Sequence, residues 1–180
     1  MRKNLFILFL SLVIILATIL FFVSSNNKVS SSNYLEVIKN SPAMLDLTNN
    51  KEVKLKDYIG KYMVLEVWET WCPACNKSIP ELIKFNQDYP KLNSLKNNVV
   101  FFSFLSNSSG SNSDIINFIK QKGINYPVLL DNNYYIGKNF GAKYIPSIFI
   151  LDKDGNLRYT KVGPEASSIL QAELLKMIKK

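Results

Sequence analysis

The feature that most constrains this chain is Cys72-Pro73-Ala74-Cys75, set between the apolar run Val64–Trp68 and a helical pattern that contains Pro80. A near-continuous apolar run of that length reads as a strand covered on both faces. Two sulfurs at this spacing, at the start of a helix, can close a small reversible ring in which the first is exposed and the second sheltered. A helix N-terminus favours the thiolate, the attacking species in disulfide exchange. Cys72 and Cys75 are the only cysteines in 180 residues, too few for a disulfide scaffold and close enough to work as a pair. The rival readings are an inert structural disulfide or half of a metal site. Zinc would need two more ligands, and the chain has neither a further cysteine nor any histidine. The same lack removes Cys–His and Ser–His nucleophile pairs. The expectation is redox chemistry with no metal and no cofactor.

The N-terminus reads differently from the rest. Arg2 and Lys3 precede an apolar run from Leu5 to Val23, broken only by Ser11 and Thr18. As a helix rising about 1.5 Å per residue, the run spans roughly 28 Å, close to the roughly 30 Å of a bilayer's hydrocarbon core. Basic residues at its start keep that end cytoplasmic and place the remainder outside. A cleaved signal peptide is the competing reading, with Val23-Ser24-Ser25 as a poor site; both readings export the rest of the chain. The expected division is a cytoplasmic tip at 1–4, a transmembrane anchor at 5–23, a Ser/Asn-rich linker at 24–41 with room for a short helical turn at Tyr34–Lys39, and a folded domain at 42–180. A flexible linker of that length spans roughly 20–25 Å and holds the domain near the membrane. The net charge of +8 is scattered as single lysines, not as dense basic clusters interleaved with aromatics, so nucleic acid is not an expected partner.

Within the domain, Ala43–Leu47 and Glu52–Leu55 read as strands about a turn at Asn49-Asn50, and Asp57–Gly60 as a turn or short helix. Tyr62–Trp68 is the central strand. The helix after Cys72 reaches about Tyr89, with a kink expected at Pro80. Asn98–Leu105 is a further buried strand, and Ser106–Asn112 a loop. Ser113 is expected to cap a helix over Asp114–Lys122 that Gly123 ends. Next come Val128–Leu130, a short helix at Tyr135–Phe140, Ile145-Pro146, and the hairpin Ser147–Leu151/Leu157–Lys161. A helix from Ser167 closes the chain. This order predicts an α/β domain with a central mixed β-sheet flanked by helices.

These residues together resemble the TlpA/ResA branch of the thioredoxin superfamily. The resemblance rests on Leu47, Asp57, Gly60 and Val64; on Trp68 and Trp71-Cys72-Pro73-Ala74-Cys75; on Pro80; and on Tyr144-Ile145-Pro146 and Ile150–Gly155, over about residues 42–180. It implies a thioredoxin-like fold and a membrane-tethered or exported thiol-disulfide oxidoreductase. It implies a cis peptide at Pro146, with Ile145 and Pro146 facing the cysteines and binding substrate backbone. Electrons would come from a membrane-embedded thiol carrier of the CcdA/DsbD type. Expected clients are disulfide-bonded exported proteins, such as apocytochromes before haem attachment or a methionine sulfoxide reductase. Two departures matter. Glu69 stands where the branch has a small residue, and Ser78 stands where ResA has a glutamate three residues after the second cysteine.

The expected site is therefore Cys72 as nucleophile, Cys75 as resolving thiol and Glu66 as a buried base for the Cys75 proton, with Trp71, Pro73, Ile145 and Pro146 around the substrate. A helix terminus is worth at most about 2 kcal/mol, which lowers a thiol of about 8.5 to roughly 7. That suits a reductant better than a strong oxidant. Glu66 could instead reach water or a lysine, and Glu69 is expected to face solvent. A disulfide-forming oxidase is the alternative direction, and a redox-inactive binding or chaperone module the non-enzymatic one. A peroxiredoxin needs Thr where Glu69 stands, and copper-delivery relatives use CxxxC with a distant His.

Overall fold

The computed structural model describes residues 32–179. The tip, the Leu5–Val23 span and most of the expected linker lie outside the described residues. Among the described residues no helix is long and apolar enough to cross a membrane.

The folded unit begins at Ser32, earlier than the expected start at Pro42. In place of a linker ending in one helical turn, Ser32–Asn40 forms a full helix, α1. It docks because Ile38 is buried and the Tyr34 ring packs on Phe140 at 4.8 Å. Gly155 receives it: at φ 78°, with a Cβ placed only 2.8 Å from Leu35 Cβ, that position admits no side chain. The apolar spacing of Tyr34, Leu35, Val37 and Ile38 is short, and its Ser/Asn surroundings hid it in the sequence.

Strands β1 (Met44–Asp46) and β2 (Lys51–Val53) form a hairpin, and Leu55–Tyr58 is a 3-10 turn. Then come β3 (Tyr62–Val67), α2 (Pro73–Asp88), β4 (Val99–Leu105), α3 (Asn112–Lys122), β5 (Val128–Leu130), α4 (Tyr135–Asn139), β6 (Ser147–Leu151), β7 (Leu157–Val162) and α5 (Ser167–Ile178). One seven-stranded sheet runs β2-β1-β5-β4-β3-β6-β7. β3 pairs in parallel with β4 and antiparallel with β6, so the sheet is mixed, as the element order predicted. The architecture is the thioredoxin-like α/β fold with a central mixed sheet and flanking helices.

β3 is the centre of that sheet, and every residue from Met63 to Val67 is buried. Its pleat splits the core. Val64 and Trp68 point with Phe101, Leu105, Ile148 and Ile150 toward α2, α3 and α5. Met63, Leu65 and Val67 point with Phe102, Phe104 and Phe149 toward Ile38 of α1 and Ile136 of α4. Alternation therefore fixes which residues can reach the cysteines, since Cys75 belongs to the first cluster.

One cap differs from expectation. Ser111, not Ser113, caps α3. Its hydroxyl accepts from the Asp114 amide while the Asp114 carboxylate accepts from the Ser111 amide. The Ser-x-x-Asp spacing makes this reciprocal pair possible at Ser111 and not at Ser113.

Candidate active site

β3 delivers Trp68-Glu69-Thr70-Trp71 into the turn that starts α2. The turn is closed locally: the Cys72 amide donates to the Glu69 carbonyl at 3.2 Å. The Asn76 side-chain amide donates to the carbonyls of Thr70 and Cys72 at 3.0 Å each. Cys72 is the N-cap of α2, in extended backbone conformation, and Pro73 occupies the first helical position, where a missing N–H removes nothing from the helix. Cys72 Sγ accepts from the Cys75 amide at 3.1 Å. It therefore sits at the positive end of the helix dipole with a donor aimed at it, the environment that stabilises a thiolate.

Cys72 and Cys75 are joined as a disulfide. Cys75 is 0% exposed and Cys72 only 4%. The second sulfur is sheltered, as the spacing requires. The first is less open than expected and is reached from a cavity of about 640 Å³ whose wall includes Trp71, Pro73, Ala74, Tyr134, Lys143, Tyr144 and Ile145. Trp71 and Tyr144, at 62% and 71% exposure, stand as aromatic flanks. Across the cavity the Ile145–Pro146 peptide bond is cis, and the Ile145 carbonyl oxygen lies 3.7 Å from Cys72 Sγ. Pro146 is buried beneath, its carbonyl accepting from the Gly163 amide at 2.8 Å. The structure thus gathers Cys72, Trp71, Pro73 and Ile145 at one opening, while Pro146, buried next to Ile145, does not line it.

Glu66 lies on the α2 side of the sheet, the side of Cys75, and is 1% exposed. It reaches neither water nor lysine: among the described residues no ion pair involves it, and its Oε2 has no hydrogen-bond partner. Burial pushes its carboxyl up to about 8. Among the described residues the hydroxyls of Ser78 and Tyr126 and the indole N–H of Trp68 are also buried without partners. Burial, with the Glu66 charge adding, raises the Tyr126 phenol well above its ordinary value.

The expectation that Glu69 faces solvent is corrected. Glu69 is 3% exposed and is turned into the cavity wall. Its Oε1 accepts from the Ser106 amide at 3.1 Å and the Ser106 hydroxyl at 2.7 Å, and its Oε2 accepts from the Ser109 hydroxyl. The physical reason is the Ser-rich loop after β4, whose donors point inward and replace water around the carboxylate.

The far wall also went unrecognised in the sequence. Asp131 is buried and accepts from the amides of Tyr135, Ile136 and Gly137 at 2.8, 2.9 and 3.3 Å, which anchors α4. Burial raises its carboxyl, while those three amides pull it down. The chain before α4 then turns through two left-handed residues, Asn133 and Tyr134. Tyr134 lays its ring against Gly137, where any Cβ would collide with it, and donates from its hydroxyl to the Ala142 carbonyl at 3.0 Å. The Asp-Asn-Asn run at 131–133 and the lone Gly137 were the available signals.

Comparison with known proteins agrees with this geometry. The chain matches the redoxin family model over residues 18–174. It is 28% identical to thiol-disulfide oxidoreductase ResA of Bacillus cereus, over 98% of this chain and 99% of that protein. It is 32% identical to sporulation thiol-disulfide oxidoreductase A of Bacillus subtilis, over 62% of this chain and 66% of that protein. The crystal structure of StoA from Bacillus subtilis superposes with a TM-score of 0.62 at 24% identity, covering 76% of this chain and 98% of that one, a likeness of fold.

Proposed function

The chain belongs to the redoxin family, and from that footing we propose that it is a thiol-disulfide oxidoreductase that reduces protein disulfides through Cys72 and Cys75. One observation carries the reading: Cys72 Sγ sits at a helix N-terminus, at the base of an open cavity, with its disulfide partner fully buried behind it.

In the reduced protein, the Cys72 thiolate attacks one sulfur of a substrate disulfide. A Cys72–substrate bond forms, the substrate S–S bond breaks, and the other substrate sulfur leaves as a thiolate that takes a proton. Cys75 then attacks Cys72 Sγ. The Cys72–Cys75 bond forms, the mixed disulfide breaks, and the second substrate sulfur leaves. The dithiol is oxidised by two electrons and the substrate disulfide is reduced by two. Cys75 must lose its proton to attack, in a place closed to water. Glu66 is the buried base proposed for it, because an unpartnered carboxyl near 8 can both take and return a proton around neutral pH. Trp71 and Pro73 flank the attacking sulfur, and Ile145, on the facing wall and held by the buried Pro146, is the surface proposed to meet substrate backbone.

The direction of electron flow rests on the modest thiolate stabilisation that a helix terminus supplies, suited to a reductant. Export and anchoring rest on the apolar Leu5–Val23 run behind Arg2 and Lys3. The resemblance to TlpA/ResA proteins supports a membrane thiol carrier of the CcdA/DsbD type as donor. It also supports apocytochromes or a methionine sulfoxide reductase as clients, among disulfide-bonded exported proteins.

The test is the reduction potential of the Cys72–Cys75 pair, by equilibration with glutathione or dithiothreitol buffers. A value near about −250 mV or below lies with thioredoxin and supports the reductant; one near about −120 mV lies with DsbA and reverses the direction to disulfide formation. In either direction Cys72→Ala abolishes turnover of a disulfide-bonded protein. Retained function in that variant sinks the enzymatic reading in favour of a redox-inactive module.

A further inference from the structure

Glu69 lies in the wall of the Cys72 cavity, with hydrogen bonds to both of its oxygens. Ser106 and Ser109 hold both of its oxygens through donors, and Thr70 ties the same loop back to the catalytic turn. The Thr70 amide donates to Ser109 Oγ at 3.0 Å, and its hydroxyl to the Ser109 carbonyl at 3.0 Å. Turn and loop are thereby one piece, with a carboxylate fixed into the wall of the cavity that Cys72 also lines. A salt bridge would neutralise that charge, but among the described residues Glu69 has none; its partners are an amide and hydroxyls.

We infer that Glu69 sets the redox poise of the pair: its pinned carboxylate withholds thiolate from Cys72 and so biases the dithiol toward giving up electrons. The inference rests on Cys72 being the attacking sulfur. The groups facing Cys72 divide clearly. The α2 N-terminus and the Cys75 amide favour the thiolate. Lys143 on the loop before β6 also favours it, but Lys143 is exposed and solvent screens it. Tyr134 and Tyr144 present phenols. Glu66 lies on the Cys75 side of the sheet, and Asp131, outside the cavity lining, is held by the first amides of α4 with the Glu69 charge acting on it. Glu69 is the acid on the cavity wall itself, and a buried charge is screened far less than an exposed one. A thiolate that is harder to form leaves the reduced pair less stabilised relative to the disulfide, which lowers the potential. Glu69 acts through Cys72 and is a positioning residue, with no contact to substrate sulfur.

The experiment compares the wild-type chain with Glu69→Gln and Glu69→Asp, reading the Cys72 thiolate by its ultraviolet absorbance and by its alkylation rate against pH. In Glu69→Gln the Cys72 midpoint falls by about one unit, so thiolate at a pH below both midpoints rises about tenfold. The glutathione equilibrium shifts toward the reduced pair by up to about tenfold, or roughly 30 mV. Glu69→Asp keeps the charge and stays near the wild-type midpoint. A Glu69→Gln midpoint that does not move overturns the inference. So does a Glu69→Asp midpoint that moves equally, because loop position and not charge would then be responsible. If Glu69→Gln fails to fold, a second variant without the charge carries the test. Glu69→Ser then stands in its place: it removes the charge and keeps a hydroxyl for the loop, the midpoint must fall as in Glu69→Gln, and no movement overturns the inference. Wild-type protein that never equilibrates with glutathione defeats the functional reading as well, an outcome read before any variant is made.

Discussion

Glu66 and Glu69 stand three residues apart on the same stretch of chain, both are buried, and they live in opposite environments. Glu66 sits mid-strand between covered faces, with Oε2 unpartnered, and burial drives its carboxyl to about 8. Glu69 sits past the strand's end, where loop donors from Ser106 and Ser109 satisfy both oxygens. Burial alone therefore says little about a carboxyl group. The donors brought to it decide whether its oxygens are satisfied. The mid-strand position suits a group that must exchange protons, and the loop position suits one that must hold a fixed field.

The largest expected effect separates the two directly. Glu66→Gln stabilises the protein at pH 7 by roughly 3 kcal/mol, because folding no longer has to protonate a carboxyl that ionises freely in the unfolded chain. Glu69→Gln destabilises it by about 2 kcal/mol, through lost charge-assisted hydrogen bonds. Denaturant unfolding of both variants reads the two signs, and equal signs break the comparison.

The pH dependence sharpens it. The folded Glu66 carboxyl lies near 8 against an ordinary 4.5, so between those values the native state binds a proton that the unfolded state has released. This contribution is fully present below about 4.5 and is lost as pH rises through about 8, with a slope of up to about 1.4 kcal/mol per pH unit. Unfolding curves measured from pH 5 to 8 should show wild-type stability falling for this reason and the fall removed in Glu66→Gln.

In catalysis, Glu66→Gln slows the second attack about a hundredfold or more, so the Cys72–substrate mixed disulfide accumulates in a quenched reaction near neutral pH. Wild-type amounts of that intermediate would leave Glu66 with a structural role only. The smallest effect concerns its neighbour. Tyr126→Phe removes a buried hydroxyl that has no partner and is expected to be neutral or to stabilise by up to about 1 kcal/mol. A loss of more than that in a melting experiment would mean that the hydroxyl has a partner in solution.

Much of the fold was legible. The apolar run through β3, the Val99–Leu105 strand, the αL glycine after α3 and the hairpin after Pro146 are local patterns, and each element formed where its pattern lay. The cysteines, Ile145 and Pro146 came together because a parallel strand and an antiparallel one flank β3 and bring both turns to one end of the sheet. Helix α1 was less legible, since the partners that cover its apolar face, Phe140 and the close-approaching Gly155, lie far along the chain.

The sequence by itself determined the reacting pair and the strand and helix that carry it, because apolar runs and CxxC spacing are properties of neighbouring residues, while it left open whether Glu66 is buried or reaches water or a lysine. Only the tertiary structure decided that Glu69 turns inward and that Tyr134, Lys143 and Tyr144 wall the cavity. Those outcomes depend on donors and surfaces delivered by distant segments: Ser106 and Ser109 reach Glu69 from the loop beyond β4, and Asp131 anchors the far wall. The free energy of a buried polar group is set by whatever arrives to meet it, and that is fixed only when the sheet is assembled.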